Sequence, residues 1–268
     1  MRTGLRRSLV VLIVTTAVLA GCGQGVPGPS IQNPSPSPER ELIVFAASDL
    51  QFALADVSNA FASAGHPKPT ISFGSTGTLS QQIENGAPAD VFFAADEAYL
   101  IGLEQKGLVL AGTRQLYAIG RIVLVERSGL PPVMTLADLG RSDVGRVAIA
   151  NPDHAPYGRA ARDAMMHVGL WPTLQPRLVL GENVSQTFQF VRTGNADAGV
   201  VTLSLAIGTP GTRYSVIDAA HHDPIAQSAG VIARTRHSTA ATDFLAFVNG
   251  PTGRPIMRKF GFTLPGEG

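Results

Sequence analysis

Cysteine and lysine are scarce in this chain of 268 residues, which contains one cysteine, Cys22, and three lysines. A single cysteine excludes a disulfide framework and a thiolate metal site, so stability has to come from the hydrophobic core. Charged residues make up only 15% of the chain and aromatic residues 6%. The lysines, Lys68, Lys106 and Lys259, form no basic stripe, which argues against nucleic acid as a partner.

The first residues predict export. Three arginines lie within the first seven residues, and a short apolar run follows and ends in the letters LAGC at residues 19–22. This pattern resembles the bacterial lipoprotein signal, which is cleaved before the cysteine so that its thiol carries diacylglycerol, with palmitate. We expect a signal peptide over residues 1–21 and a lipid anchor on Cys22. The alternatives are an ordinary cleaved signal and a membrane span, for which the run is short, since a span needs about 20 residues.

A tether is predicted over residues 22–39, where proline, serine and glycine favour an extended chain. Without residues 1–21 the chain keeps 247 residues, with 18 basic against 20 acidic ones and a formal charge of −2. The exported part is therefore nearly neutral, and we expect it to be a monomer at the outer face of the cell membrane.

After the tether, short apolar strands alternate with amphipathic helices that end at glycines, which is typical of an α/β protein with largely parallel sheets. We predict two lobes, each a mostly parallel sheet flanked by helices, with a ligand cleft between them. The first lobe is expected to combine residues 40–119 and 229–268, and the second to span residues 120–228. The chain would cross between them near Ala118 and near Ser228.

A turn at residues 73–78 is rich in glycine and hydroxyl groups, contains no charge and joins a predicted strand to a predicted helix. Gly74 and Gly77 allow the backbone close to a ligand, while Ser75 and the free N–H groups of the helix start donate hydrogen bonds. Ser48 occupies a second such position. The two turns together indicate one anion site that needs no cation.

Two later loops, residues 151–158 and 181–185, also follow a strand and precede a helix. If the sheets are parallel, all four loops lie at the carboxyl ends of strands, where open α/β sheets bind ligands. For each loop alone, a simple helix cap is the alternative interpretation.

The chain resembles the molybdate-binding component of bacterial ABC importers, a family within the type II periplasmic binding proteins. The resemblance covers nearly all of residues 41–262 and rests on six motifs in order. These are residues 44–50 (VFAASDL), 73–79 (FGSTGTL), 86–96 (GAPADVFFAAD), 151–156 (NPDHAP), 182–184 (ENV) and 194–201 (GNADAGVV).

The resemblance implies that molybdate is bound by the hydroxyl and amide groups of Ser48 and Ser75 and by the amides of Ala155 and Val184. It implies no cofactor and no catalytic residue. Molybdenum would enter only as the oxyanion, without a direct protein ligand to the metal.

One ligand of the family is missing from the sequence. Many members have a tyrosine at the position of Thr202, and threonine carries its hydroxyl on a much shorter arm. We expect Thr202, or a water molecule beside it, to supply a fifth donor. Tyr157 in a neighbouring loop is the alternative.

A site of neutral donors suits molybdate, because molybdate is a full dianion at neutral pH. Phosphate usually keeps a proton that such a site leaves unpaired, at a cost of about 1–3 kcal/mol. Sulfate is also a bare dianion, so only cavity size can reject it. Tungstate is nearly the size of molybdate and should bind too.

Other polar residues are expected to be structural. Asp49, Asp153 and Glu182 fit solvated carboxylates or carboxylates at helix starts, where the helix dipole favours negative charge. His221 and His222 fit an exposed loop better than a metal site, because no second pair of ligands is spaced to match them.

The sequence therefore predicts a lipid-anchored binding protein, not an enzyme, that captures molybdate and delivers it to a membrane permease. The nearest alternative is a binding protein for another oxyanion such as sulfate. A more distant one is an exported serine hydrolase with Ser48 or Ser75 as nucleophile beside His154 and Asp153, although no nucleophile-elbow motif is present.

Overall fold

The computed structural model describes residues 41–267, so the predicted signal peptide, the anchor at Cys22 and the whole predicted tether lie outside the described residues. Two five-stranded sheets form the core of this part of the chain. Across the first sheet the strands are β2 (Thr70–Gly74), β1 (Ile43–Ala47), β3 (Val91–Ala94), β10 (Ile225–Val231) and β4 (Gln115–Gly120). Across the second they are β7 (Leu178–Gly181), β6 (Val147–Ala150), β8 (Ala198–Thr202), β5 (Ile122–Glu126) and β9 (Tyr214–Val216).

The two sheets share one pattern of strand direction. In each sheet four strands run the same way and one runs against them, namely β10 in the first sheet and β5 in the second. The reversed strands are those that the chain enters directly from the other sheet. The prediction of an α/β fold with mostly parallel sheets is confirmed.

The helices divide between the sheets, and we call each sheet with its helices a lobe. The first lobe contains α1 (Gln51–Ser63), α2 (Thr76–Glu84), α3 (Glu97–Gln105), α8 (Ser238–Asn249) and α9 (Gly253–Lys259). The second contains α4 (Pro156–His167), α5 (Trp171–Leu174), α6 (Val184–Arg192) and α7 (Leu203–Ile207). None of the helices within residues 41–267 is long and apolar enough to cross a membrane.

The chain passes between the sheets at two places. It leaves β4 at Gly120 and enters β5 at Ile122, so only Arg121 separates the two strands. It returns to the first sheet at Ile225, where β10 begins. The predicted return near Ser228 therefore falls inside β10. The division of the chain into lobes at residues 119 and 228 stays a prediction.

Alternating side chains build the core on both faces of the first sheet. Val44 and Ala46 pack against the helices α1, α8 and α9, whereas Phe45 faces α2 and α3. This alternation follows from the two-residue repeat of a strand, and burial of both faces explains why β1 is apolar throughout. Gly65 and Gly86, with φ of 94° and 97°, follow α1 and α2, so these helices end as their glycines predicted.

Candidate functional site

Four helix starts converge on one cavity between the lobes. α2, α4 and α6 begin directly at it, and α1 reaches it through a short 3₁₀ turn over Ser48–Leu50. Each of them follows a strand, β1, β2, β6 or β7, that runs in the majority direction of its sheet. The first N–H groups of a helix have no partner within the helix, so this cavity lies in a positive potential without any cation.

The cavity is small and almost uncharged. The volume open to the centre of a water-sized sphere is about 10 Å³, roughly what one water molecule needs, so the cavity leaves no room for a larger organic ligand and suits a small ion. Among its lining residues Asp49 is the one with a charged side chain. The lining comprises Ala47, Ser48, Asp49, Gly74, Ser75, Thr76 and Ala95 from the first lobe and Ala155, Pro156, Tyr157, Asn183 and Val184 from the second.

Four of the five predicted donor positions meet at this cavity. Ser75 is the N-cap of α2, Ala155 is the N-cap of α4, and Val184 is the first residue of α6. Ser48 begins the 3₁₀ turn after β1. All four are buried, and two come from each lobe.

The fifth predicted position does not reach the cavity. The chain enters α7 immediately after Thr202, whose hydroxyl caps the helix by accepting from Leu205 N–H at 3.2 Å. The same hydroxyl lies 2.9 Å from the Ser204 oxygen, and Ser204 donates to the Asp49 carbonyl at 2.7 Å. Thr202 thus contacts the loop at Asp49 only through Ser204. Its position does not match the predicted role of direct donor.

The Ser75 turn is joined across the cleft to the loop before α4. Ser75 Oγ donates to the His154 carbonyl at 2.7 Å, and Gly77 N–H donates to the same oxygen at 2.9 Å. His154 Nδ1 lies 2.9 Å from Ser75 Oγ. Because a serine hydroxyl has one proton, an anion in the cavity and the His154 carbonyl compete for it.

Further contacts hold the two lobes together. Thr78 donates to Glu182 at 2.8 Å, and Ser185 donates to Gln51 at 2.9 Å. An Arg159–Asp96 ion pair joins α4 to the start of α3. The structure is therefore closed around the cavity, and the residues that close it belong to the loops that line it.

Asp49 is predicted to be a solvated carboxylate or a carboxylate at a helix start. It lies in the first turn of the 3₁₀ helix after β1, but it is fully buried, so the solvated alternative is wrong. Its Oδ2 accepts from Tyr157 Oη at 2.9 Å and from Gln227 Nε2 at 2.8 Å, and Tyr117 donates to Gln227 Oε1 at 2.6 Å. Burial raises the pKa of Asp49 to about 6, against the smaller lowering effect of the hydrogen bonds from Gln227 and Tyr157. A Cβ at Gly120 would lie 2.1 Å from the Tyr157 hydroxyl, so glycine makes room for this network.

Tyr157, the alternative fifth donor, lines the cavity, but its hydroxyl already donates to Asp49. Burial raises the pKa of Tyr157, and likewise that of Tyr117, well above the usual value, so both stay neutral. The link between Tyr157 and Asp49 joins residues 108 positions apart. No local sequence signal could have revealed it.

The other polar residues fall on the rim or outside the site. Asp153 and Glu182 are exposed, and Glu182 Oε2 lies 3.5 Å from His154 Nε2. His221 stacks on His167, with ring centroids 4.7 Å apart. Within residues 41–267, no three histidine, cysteine or carboxylate side chains form a group that could hold a metal ion.

Comparisons with known proteins agree with this geometry. The family model for bacterial extracellular solute-binding proteins matches residues 42–263. The chain is 32% identical over 230 residues to the molybdate-binding protein ModA of Rhodobacter capsulatus, covering 85% of this chain and 90% of that protein. It is 33% identical over 269 residues to the protein of the same name from Mycobacterium tuberculosis H37Rv, covering 98% of each. The structure of the periplasmic molybdate-binding protein of Azotobacter vinelandii aligns with a TM-score of 0.79 and 34% identity, covering 84% of this chain and 100% of that one.

Asp49→Asn is expected to stabilise the ligand-free protein at pH 8 and to have less effect at pH 4.5. The pKa of Asp49 is raised from 3.8 to about 6, so the folded state binds this proton more tightly than the unfolded state does. Keeping Asp49 ionised therefore costs about 3 kcal/mol of stability above pH 6, and the cost disappears below about pH 4. Urea unfolding of the variant and of the unaltered protein at the two pH values measures this cost.

The matched control is Asp153→Asn, which removes an exposed carboxylate from the loop before α4. Its effect on the free energy of unfolding should not grow with pH. An equal effect of Asp49→Asn at both pH values would contradict the raised pKa.

Proposed function

The chain belongs to the family of bacterial extracellular solute-binding proteins, and from this we propose that it captures molybdate outside the cytoplasm and delivers it to the permease of an ABC importer. The family binds solutes and does not catalyse reactions. The convergence of four helix starts on one small cavity carries the proposal, because it provides neutral donors in a positive potential. Tungstate should bind as well, owing to its size.

The donors come from both lobes, so a bound oxyanion favours the closed form. Ser48 and Ser75 act from the first lobe, and the amides of Ala155 and Val184 act from the second. All of these donors can reach one ion only when the lobes approach each other, and binding then shifts the protein toward closure.

His154 orients Ser75 in this proposal. With its Nδ1–H pointing at Ser75 Oγ, 2.9 Å away, the histidine occupies an oxygen lone pair. The serine proton is then free to turn from the His154 carbonyl to the ligand. A charge-assisted hydrogen bond to a dianion is stronger than the bond to a neutral carbonyl, so this rotation of the Ser75 hydroxyl is favourable.

Outside the cleft, we propose that the lipid on Cys22 anchors the protein to the outer face of the membrane and that residues 22–39 act as a tether. The M. tuberculosis relative, which aligns over 98% of this chain, supports a shared organisation that extends beyond the two lobes. The protein would act as a monomer without a cofactor.

Ester hydrolysis is the second candidate, because the structure brings Ser75, His154 and Glu182 into a row of contacts. Two observations weaken it. Ser75 donates to a carbonyl, and the Glu182 side chain keeps 54% of its surface exposed, whereas an orienting carboxylate is normally buried. Burst kinetics on an ester, lost in Ser75→Ala, would support hydrolysis against the transport function.

Calorimetric titration of the chain from residue 40 onward with molybdate, tungstate, sulfate and phosphate tests the proposed ligand. We expect tight binding of molybdate and tungstate and weaker binding of phosphate, because a site built from hydrogen-bond donors leaves the phosphate proton unpaired. Binding of sulfate without any binding of molybdate would overturn the assignment.

Ser75→Ala is expected to weaken molybdate binding by about 10-fold to 100-fold, because a hydrogen bond to a charged ligand is lost. Thr202→Ala should weaken it less than about 10-fold, since Thr202 acts only through Ser204. The control is Ser80→Ala, a buried serine of the same helix α2 that does not line the cavity. Equal affinities of Ser75→Ala and Ser80→Ala would remove Ser75 from the site.

Gly77→Ala is expected to weaken binding by hindering closure. A Cβ at Gly77 would lie 2.7 Å from the His154 carbonyl oxygen and 2.9 Å from His154 Cβ, both across the cleft. The control is Gly102→Ala in α3, where a Cβ meets nothing within 4 Å. Small-angle scattering with molybdate should show a more open Gly77→Ala protein than Gly102→Ala. Identical scattering and affinity would show that this contact does not limit closure.

A further inference from the structure

Asp49 is the one residue with a carboxyl group among those that line a cavity otherwise built for an anion. It is fully buried, and Oδ2 receives both side-chain hydrogen bonds, from Tyr157 and Gln227. Oδ1 makes no hydrogen bond of good geometry within the described residues. The nearby N–H groups of Asp49 and Leu50 lower the pKa only in part. One buried oxygen of the site thus lacks a partner.

Within residues 41–267, no lysine, arginine or histidine forms an ion pair with this carboxyl. Tyr157, on α4, contacts the carboxyl directly, and Tyr117, on β4, contacts Gln227. Burial keeps both phenols neutral. Gln227 on β10 and Ser204 on α7 do not titrate. In the loop before α4, Asp153 is exposed, and His154 contacts Ser75 and Glu182 instead. An ionised Asp49 beside a dianion would therefore be an unscreened like-charge pair in a buried site.

We propose that Asp49 is a proton-linked specificity residue, at which capture of a dianionic oxyanion takes up one proton from solvent. The proton binds Oδ1, the oxygen without a partner, while Oδ2 continues to accept from Tyr157 and Gln227. The neutral carboxyl removes the repulsion and adds an O–H donor at the cavity. This inference rests on the proposed function, and it assigns the side chain of Asp49 a part in that function.

Proton uptake makes the selectivity of the site depend on pH. A neutral Asp49 is a donor and suits an oxyanion that carries no proton. An ionised Asp49 is an acceptor and suits a protonated oxyanion such as hydrogen phosphate. The same carboxyl distinguishes the two classes of anion, and a bound dianion itself favours the neutral form because a nearby negative charge raises the pKa of a carboxyl.

The test is calorimetry of the full-length protein with molybdate at pH 7.5 and 8.5, above the range in which histidine ordinarily titrates. Repeating each titration in buffers of different ionisation enthalpy counts the protons. We expect uptake of about one proton per molybdate and an affinity that falls by up to about tenfold per pH unit. The proton count of the unaltered protein is decisive even if a variant fails to fold.

Asp49→Asn imitates the neutral carboxyl, since the amide oxygen still accepts from Tyr157 and Gln227 and the amide nitrogen donates. This variant should bind molybdate without proton uptake, independently of pH, and at pH 8.5 at least as tightly as the unaltered protein. Asp153→Asn removes a carboxylate outside the cavity and should keep the proton uptake.

Molybdate binding without proton uptake by the unaltered protein would overturn the inference and leave the proposed function intact. Absence of molybdate and tungstate binding at every pH would instead overturn the proposed function, and the inference with it.

Discussion

The parallel direction of β1, β2, β6 and β7 is the constraint on which the site depends. A strand that is followed by another parallel strand has to hand the chain to a returning helix, so its carboxyl end meets a helix start. Two sheets built in this way present four helix starts to one cavity. The N–H groups and dipoles of these helices supply a positive potential that arginine or lysine would otherwise have to provide.

Strands β10 and β4 connect the site to the crossings between the lobes. Gln227 lies on β10 and bonds Asp49 at the cavity, while Gly120 at the end of β4 leaves space for the Tyr157 hydroxyl. The closing of the lobes, the burial of Asp49 and its proposed protonation therefore involve the same residues, Tyr157, Gln227 and Gly120. An altered residue at the crossing should affect the binding of anions even though it does not touch them.

The fold class and the four loops that meet at the cavity could be predicted from the sequence, because turns between strands and helices carry local signals of glycine, serine and apolar runs. The individual donors within these loops came from the resemblance to the family. The burial of Asp49 could not be predicted, since Tyr157 and Gln227 lie 108 and 178 positions away along the chain. The position of Thr202 was missed for a different reason. Threonine is a favoured N-cap residue, but the helix that Thr202 caps has only five residues, too few to show a helical repeat in the sequence.

The single residue between β4 and β5, Arg121, has a consequence for the entropy of binding. A connection this short leaves very few backbone torsions that can differ between open and closed forms, and each residue that becomes ordered on closing costs about 1–2 kcal/mol. At this crossing, closing of the lobes therefore orders little of the chain. The free energy of the hydrogen bonds to the ion is then offset very little by the ordering of this connection, so a small cavity can bind tightly.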